Sequence, residues 1–458
     1  MIRVRFNTPS RRVRAMGTPC VSRLVATALL AATLAAPQLH AQRRTATATV
    51  TVPPLPQATP ESVGFAPSLL ANMDAAMQGL TDKKHLAGIV TLVARKGKVV
   101  QHKAYGYQDA ESRTPMRTDT IARIYSMTKP ITGVAMMMLF EDGKWKPSDP
   151  IAKHIPEFAN LKVFAGEKDG AIVLEDPIHP PTMGELMSHT AGFTYGLFGN
   201  TPVDMIYRKN NPLAAPSLQA MIDRLATMPL LYQPGTRWVY SVGVDIQGYL
   251  VEKLSGQTFP EFLRTRLFEP LGMIDTAFSV PSEKMSRVAM IYAWDQKTGA
   301  LAPQPHDPGI NQLPGLPSGG GGLYGTAADY FRFAQMLLNG GEFNGRRILK
   351  KDTVEMMRTN VLSEQVLNSK SGIGQAQFSP AQGFGYDFAV VLDPAAAKRQ
   401  VGKGSFWWWG IAGTWFWIDP ANDVIGIGII QRRGGVPGAA NHEDLQRRVI
   451  YEALPPVS

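Results

Sequence analysis

The chain has 458 residues, one cysteine and a net charge of +10, with 44% hydrophobic and 18% charged residues. This is the composition of an ordinary globular protein, and it excludes a disordered chain, a coiled coil and a collagen-like repeat. A single cysteine also excludes a disulfide framework and a cysteine-based zinc site.

The first 41 residues have the pattern of a secretory signal. This stretch contains six arginines and no acidic residue, and its thirteen-residue apolar run, 24–36, is too short to span a bilayer. Ala41 offers a small residue at the predicted cleavage point. Removal of residues 1–41 lowers the net charge to +4, which does not favour nucleic acid as a partner. We therefore expect an exported protein, periplasmic or secreted, without a stable membrane anchor, in which a flexible lead-in occupies 42–59.

Short apolar runs near both ends of the chain predict a β-sheet, and the middle is typical of helices. A buried strand over 88–95 is followed by a turn and a return strand, and the same arrangement recurs near the C-terminus. We therefore expect an α/β (α+β) fold, in which an antiparallel sheet from both chain ends is flanked by helices and a mostly helical domain is inserted. The predicted parts are strands 88–95, 99–107, 413–418 and 424–431; helices 131–140, 244–254 and 441–453; a sheet domain of 60–139 and 320–458; and a helical insertion of 140–319.

Ser126 and Lys129 form the one Ser-x-x-Lys sequence of the chain. They precede an apolar run that predicts a buried helix, and Pro130 is compatible with that helix only in its first turn. We expect Ser126 at the helix N-terminus and Lys129 one turn further on the same face. A serine needs a base to become a nucleophile, and a buried lysine can be that base because desolvation disfavours the ammonium. By itself this short pattern is more often a helix cap followed by a solvated lysine.

The segment 123–130 resembles the active-serine segment of the serine β-lactamase-like superfamily, which includes class C β-lactamases, D-Ala-D-Ala carboxypeptidases and family VIII carboxylesterases. The resemblance covers about residues 60–455, with further segments in the same order. It implies the fold expected above and an acyl-enzyme mechanism that needs no metal and no organic cofactor. The further segments are 185–192, 234–236 with 240–241, 270–276, the glycine loop 319–324, and 409–414.

The resemblance also implies roles for single residues. Tyr240 matches the tyrosine that shares proton transfer with the lysine, a contribution of about 10²- to 10⁴-fold for a well-positioned side chain. The backbone N–H groups of Ser126 and Ala412 match the oxyanion hole, where one donor is worth about 2.7–4 kcal/mol. Val242 stands where the superfamily usually has an asparagine that binds a β-lactam or a peptide, and valine lacks that amide.

The third motif departs from β-lactamases. Trp409, Gly410 and Ile411 replace a Lys-Thr-Gly whose lysine binds the substrate carboxylate, and they are similar to the Trp-Gly-Gly of family VIII esterases. Loss of that cation removes a charge-assisted contact, which argues against β-lactams and D-Ala-D-Ala peptides. An indole instead favours an apolar acyl or alcohol group. Because Trp407, Trp408 and Trp409 are consecutive, at most two of them can share one face of a strand.

Two other patterns are discounted. Gly320, Gly322 and Gly325 match a dinucleotide-binding fingerprint, but they follow a Pro-rich loop rather than a strand. His189 is a tempting general base, yet the corresponding loop of the superfamily is structural. No His-Glu-x-x-His sequence occurs, so a metal site of that kind is not expected.

The sequence therefore predicts an exported serine hydrolase that cleaves short-chain carboxylic esters through an acyl-enzyme. Two alternatives stay open. One is an amide-directed hydrolase of the same fold: a β-lactamase, a D-aminopeptidase or carboxypeptidase, or a linear amide oligomer hydrolase. The other is a sensor or binding module that is acylated without turnover. The predicted site consists of the catalytic residues Ser126, Lys129 and Tyr240, the oxyanion-hole residues Ser126 and Ala412, and the substrate-binding residues Trp409, Gly410, Ile411 and Val242.

Overall fold

The apolar runs near both ends of the chain form strands, with helices before and after them. The computed structural model describes residues 52–369, 371–373 and 376–455; the predicted signal segment 1–41 and much of the lead-in lie outside this part. Its α-helices are α1 Leu69–Asp82, α2 Thr128–Glu141, α3 Met183–Met187, α4 Pro202–Lys209, α5 Leu218–Leu225, α6 Gly243–Ser255, α7 Phe259–Leu263, α8 Glu269–Leu271, α9 Ala327–Leu338, α10 Lys351–Met357, α11 Glu364–Asn368 and α12 His442–Glu452. Its strands are β1 Gly88–Arg95, β2 Lys98–Asp109, β3 Thr114–Pro115, β4 Ala122–Arg123, β5 Val163–Lys168, β6 Ala171–Glu175, β7 Ile291–Asp295, β8 Ala300–Gln304, β9 Tyr324–Gly325, β10 Glu342–Phe343, β11 Arg346–Arg347, β12 Gly372–Ile373, β13 Ala376–Gln377, β14 Gln382–Phe384, β15 Ala389–Val391, β16 Phe406–Trp409, β17 Trp415–Asp419, β18 Val424–Ile429 and β19 Arg432–Arg433.

Strand β1 joins the two ends of the chain in one sheet. It pairs with β2, which follows it directly, and with β18 from the C-terminal region, so that Val90 lies opposite Ile429. In the described residues this sheet has eight strands in the order β14-β15-β16-β17-β18-β1-β2-β3, and all its pairings are antiparallel. Seven of the eight residues of β1 are buried, because helices cover both faces of the sheet. The predicted fold class is confirmed.

Two glycines of β18 make room for tryptophans of the neighbouring strand. Trp415 lies opposite Gly428, and Trp417 lies opposite Gly426. A Cβ atom on either glycine would collide with the facing indole ring. The two indoles therefore lie over glycine backbone, which packs both tryptophans into the sheet without separating its strands.

Helices α2 and α6 pack against each other in the core and bring the predicted catalytic segments together. Every residue from 128 to 139 is buried, so α2 is covered on all sides, as its continuous apolar run predicts. Ser126 lies two residues before the start of α2, and Tyr240 lies three residues before the start of α6. The packing of these two helices thus places two distant parts of the sequence side by side.

The middle of the chain is less purely helical than expected. Within 140–319 lie α3 to α8 and two β-hairpins, β5 with β6 and β7 with β8. Strand β19 from the C-terminal region adds to β7 in parallel, which ties the second hairpin to the chain end. The domain boundaries stay a prediction. In the part of the chain that the structure describes, no helix is both long enough and apolar enough to cross a bilayer.

Candidate active site

Ser126 lies in a 3₁₀ turn, Tyr125–Met127, that leads directly into α2. The preceding Tyr125 has a φ of 45°, in the left-handed region that residues other than glycine rarely adopt. Tyr330 stabilises the turn by donating a hydrogen bond to the carbonyl of Met127 at 3.0 Å. The result is a half-buried serine between buried neighbours, at a helix start where the first N–H groups have no intrahelical acceptor.

Lys129 is buried beside this serine. Its side chain is 1% exposed, and its Nζ lies 3.3 Å from Ser126 Oγ and 2.7 Å from the carbonyl oxygen of Gly320. The same atom lies 4.5 Å from the ring centre of Tyr240 and 5.2 Å from that of Tyr195. Among the described residues, no carboxylate forms an ion pair with Lys129. A carboxylate partner would hold the proton on this nitrogen, so the surroundings suit a base.

The carbonyl that binds Lys129 is held in place by Asp245. The Oδ1 atom of Asp245 accepts hydrogen bonds from the Gly320 N–H at 3.0 Å and from the Ser318 hydroxyl at 2.5 Å. Its Oδ2 atom accepts one from the Tyr195 hydroxyl at 3.2 Å. A Cβ atom on Gly320 would lie 2.5 Å from that hydroxyl and 2.6 Å from Oδ2, so only glycine fits at this position. The glycine loop therefore serves to carry the acceptor for Lys129.

Tyr240 stands in a cluster of aromatic rings above Lys129. Trp408 Nε1 donates a hydrogen bond to the Tyr240 hydroxyl oxygen at 3.3 Å. Trp238 stacks on the Tyr240 ring at 5.9 Å, and the ring of Phe198 lies 5.7 Å away on the outer side, where Phe198 is 53% exposed. The phenol thus has a fixed orientation, contacts the lysine and is half-buried.

The turn between β16 and β17 lies next to the turn that carries Ser126. Thr414 Oγ1 donates to the carbonyl of Ile124 at 3.2 Å, and a Cβ atom on Gly410 would lie 2.5 Å from the same carbonyl oxygen. Ala412 is fully buried and packs against Tyr125. In the described part of the chain, the Ala412 N–H donates no hydrogen bond, whereas its carbonyl accepts one from the Arg432 N–H at 2.8 Å. A free N–H therefore lies in the turn next to the serine segment, as an oxyanion hole requires.

The predicted substrate-binding residues occupy different environments. Trp409 is half-buried, and Ile411 is 60% exposed, so both present apolar surface at the mouth of the site. Trp407 and Trp408 are each 1% exposed and belong to the core. Val242 is also buried, in the main hydrophobic cluster at the start of α6, so the structure does not bring it to the surface with the others.

His189 is a packed residue rather than a group open to substrate. Its Nδ1 lies 3.0 Å from the Ser241 hydroxyl, and its ring lies 5.2 Å from that of Tyr240. Burial lowers the pKa of His189 well below its usual value, and the nearby charge of Lys129 lowers it further. The imidazole is therefore neutral, and it supports the aromatic cluster.

The sequence reasoning missed Asp245, Tyr195 and the role of the Trp408 indole. Asp245 was the most detectable of these, because it is the one acidic residue in the largely apolar first half of α6. A buried carboxylate in such a helix needs hydrogen-bond donors from elsewhere in the fold. The pattern indicates that donors exist, but it does not identify them.

Comparison with known proteins gives a consistent result. A family model described as Beta-lactamase matches residues 73–450. An uncharacterized protein of Mycobacterium tuberculosis is 35% identical over 365 residues, which cover 78% of this chain and 88% of that protein. Esterase EstB of Burkholderia gladioli is 30% identical over 380 residues, with the same coverage. A solved structure of EstCE1, described as a hydrolase with promiscuous acyltransferase activity, has a TM-score of 0.68 and 25% identity, and the match covers 84% of this chain and 98% of that one.

Proposed function

The chain belongs to the beta-lactamase family and is a serine hydrolase, and we propose that it cleaves short-chain carboxylic esters through an acyl-enzyme formed on Ser126. The observation that carries this proposal is the pair of Ser126 and Lys129. The amine is buried, lies 3.3 Å from the serine oxygen and has no ion-pair partner among the described residues. This is the arrangement that turns a serine into a nucleophile.

Acylation begins when Ser126 Oγ attacks the ester carbonyl and its proton passes to Lys129. The carbonyl of Gly320 accepts one N–H of the lysine, which holds Nζ 3.3 Å from the serine oxygen. The negative charge that develops on the carbonyl oxygen is stabilised by the N–H groups of Ser126 and Ala412. These donors are part of the backbone and need no reorganisation during the reaction.

The alcohol leaves when the tetrahedral intermediate collapses and a proton returns to its oxygen. We assign this transfer to Tyr240, because Lys129 Nζ lies 4.5 Å from the centre of its ring. The Trp408 N–H steadies the phenol oxygen while it gives up and regains a proton. Water then attacks the acyl-enzyme, with the same groups moving the proton, and the carboxylic acid is released.

The apolar side chains at the mouth of the site, which we call the rim, favour an ester over a β-lactam. Trp409 and Ile411 are the groups that a substrate meets beside the turn that carries Ala412, and both are apolar. Neither offers a positive charge to a carboxylate. Phe198 extends the apolar surface on the side of Tyr240. A small neutral ester fits this rim, and it is the partner that we propose.

The test uses purified protein from residue 42 onward with p-nitrophenyl acetate, butyrate and octanoate, and with nitrocefin in parallel. We expect steady ester turnover and weak or no hydrolysis of nitrocefin. Ser126→Ala abolishes the ester activity if Ser126 is the nucleophile; equal activity in this variant would refute the assignment. Dominant nitrocefin turnover would favour the β-lactamase alternative. A burst of one equivalent without turnover would favour the acylated sensor.

We also propose that the protein is exported, because residues 1–41 combine a basic start, a short apolar run and a small residue at the cleavage point. The full-length chain is expressed in a Gram-negative host, and the protein recovered from the periplasm and the medium is sequenced from its N-terminus. We expect a chain that begins at residue 42. Recovery of only uncleaved protein in the cytoplasm would refute the proposal.

A further inference from the structure

Asp387 is a buried acidic residue that the proposed mechanism does not use. It lies in the turn between β14 and β15, it is 1% exposed, and its N–H donates to the carbonyl of Met187 in α3. Its carboxyl group lies against the backbone of α2 at Gly133, one turn beyond Lys129: a Cβ atom on Gly133 would lie 2.6 Å from Asp387 Oδ2. Asp387 therefore borders the helix that carries the catalytic lysine.

The hydrogen bonds of Asp387 are incomplete. Its Oδ1 accepts one bond, from Gln247 Nε2 of α6 at 3.2 Å. Among the described residues, Asp387 Oδ2 has no partner, and neither does the amide oxygen Oε1 of Gln247. Both orphaned atoms are acceptors, and an unpaired acceptor in the core is costly. One added proton would satisfy both, because a carboxylic acid and a primary amide can pair through two hydrogen bonds in a ring.

We propose that Asp387 is protonated on Oδ2 in the resting enzyme and donates a hydrogen bond from this atom to Gln247 Oε1. The two side chains then form a neutral acid–amide pair beside α2. In this pair the Gln247 amide donates to Oδ1, and the acid donates in return. Asp387 is thus a positioning residue that acts on the reaction through Lys129.

Two features of the surroundings support the protonated form. Burial raises the pKa of Asp387 well above its usual value, and the hydrogen bond from Gln247 and the charge of Lys129 oppose this only in part. Within the described residues, the other titratable group with an electrostatic interaction with Asp387 is Tyr195, which adds no positive charge. Asp387 also has a φ of 62°, where glycine is the less strained choice, so the fold keeps a carboxyl group here at a cost in backbone strain.

The neutral pair matters because of where it lies. An ionised Asp387 would be an uncompensated negative charge in the core near α2, and it would favour the ammonium form of Lys129. A protonated Asp387 fills the same space without that charge, so the lysine can accept the serine proton. This role rests on the proposed function of Lys129 as a base, whereas the protonation of Asp387 can be measured without any substrate.

Infrared difference spectroscopy of wild type and Asp387→Asn tests the proton directly. The spectra are taken well above pH 6, where Asp329, a second buried acid whose pKa is raised to about 6, is ionised. We expect the wild type to show the C=O stretch of a protonated carboxylic acid, a shift of this band in D₂O, and its loss in the variant. Spectra without such a band, or with a band that the variant keeps, would overturn the proposal.

Two further measurements separate a positioning role from mere packing. Gln247→Leu removes the acceptor, so the acid band should persist and move to a higher frequency, as expected for a carboxylic acid without a partner. In Asp387→Asn, the pH at which kcat/KM falls on the acid side of its pH profile should stay the same, because one neutral group replaces another. A shift of this fall to lower pH by about one unit or more would mean that a charge had been removed, which overturns the proposal. If Ser126 were not the nucleophile, the infrared result would be unchanged. Failure of the proposed function can therefore be distinguished from failure of the proposed protonation of Asp387.

Discussion

Replacement of Trp408 by phenylalanine tests whether the tyrosine takes part in proton transfer. The indole N–H is the donor that fixes the Tyr240 oxygen, and phenylalanine keeps an aromatic ring beside Tyr240 and Phe384 while removing that donor. If Tyr240 gains negative charge during the reaction, the lost bond is one to a charged group, worth about 1.5–3 kcal/mol. The N–O distance of 3.3 Å is longer than the usual value of about 2.9–3.0 Å, so the lower end applies. We expect kcat/KM to fall about tenfold.

The neighbouring tryptophan supplies a matched control. Trp407 is as deeply buried as Trp408, and its ring packs under the guanidinium of Arg399 at 3.6 Å. Its Nε1 has no hydrogen-bond partner among the described residues, so Trp407→Phe removes the same volume without removing a bond. Both variants are assayed with p-nitrophenyl acetate, and their unfolding midpoints are compared. Equal kcat/KM values for the two variants at similar stability would refute the reasoning.

Three further predictions concern the glycine loop, the stability of the protein at acid pH, and Ile411 at the rim. Gly320→Ala places a Cβ atom 2.5 Å from the Tyr195 hydroxyl, and we expect the free energy of unfolding to fall by about 1–3 kcal/mol together with a drop in kcat; an unchanged Tm and kcat would contradict the role of this glycine. Burial lowers the pKa of His442 to about 4, so the unfolded chain binds a proton more readily and stability falls as pH decreases from about 6.5 to 4, by up to about 3 kcal/mol. Urea unfolding as a function of pH measures this loss, and His442→Gln should flatten it; an equal slope in the variant would argue against His442. Ile411→Ala should raise KM for p-nitrophenyl octanoate several-fold and leave that for acetate nearly unchanged, because Ile411 is exposed at the rim; equal effects on both esters would exclude a contact with the acyl chain.

The sequence was sufficient where the signal is local. The apolar run of β1, the apolar helix α2 and the C-terminal helix α12 are all found close to their predicted positions. The predicted strand 413–418 begins two residues later, at Trp415, because 410–414 form the turn against Ile124. That turn depends on a carbonyl from a distant part of the chain, which no local pattern reveals.

The parts of the site that sequence reasoning missed depend on long-range contacts. Lys129 binds the carbonyl of Gly320, and Gly320 is fixed by Asp245, so three segments must meet before the function of any one is visible. Burial of Val242 has the same origin, since it follows from the packing of α6. The hairpin of β5 and β6 was missed because its residues are largely exposed and lack an apolar alternation.

The pairing of β1 with β18 has a consequence for the order in which activity can arise during synthesis. Ser126 is translated early, Tyr240 midway and Ala412 late, and the late strands pair with one of the earliest, as Val90 opposite Ile429 illustrates. Such non-local pairing is slow, because a long loop must close before its contacts stabilise it. A nascent chain, or one truncated before the last strands, therefore has the proposed nucleophile, Ser126, without the proposed oxyanion-hole residue, Ala412. Under the proposed mechanism, we expect hydrolysis to begin only when the last strands have paired with the first.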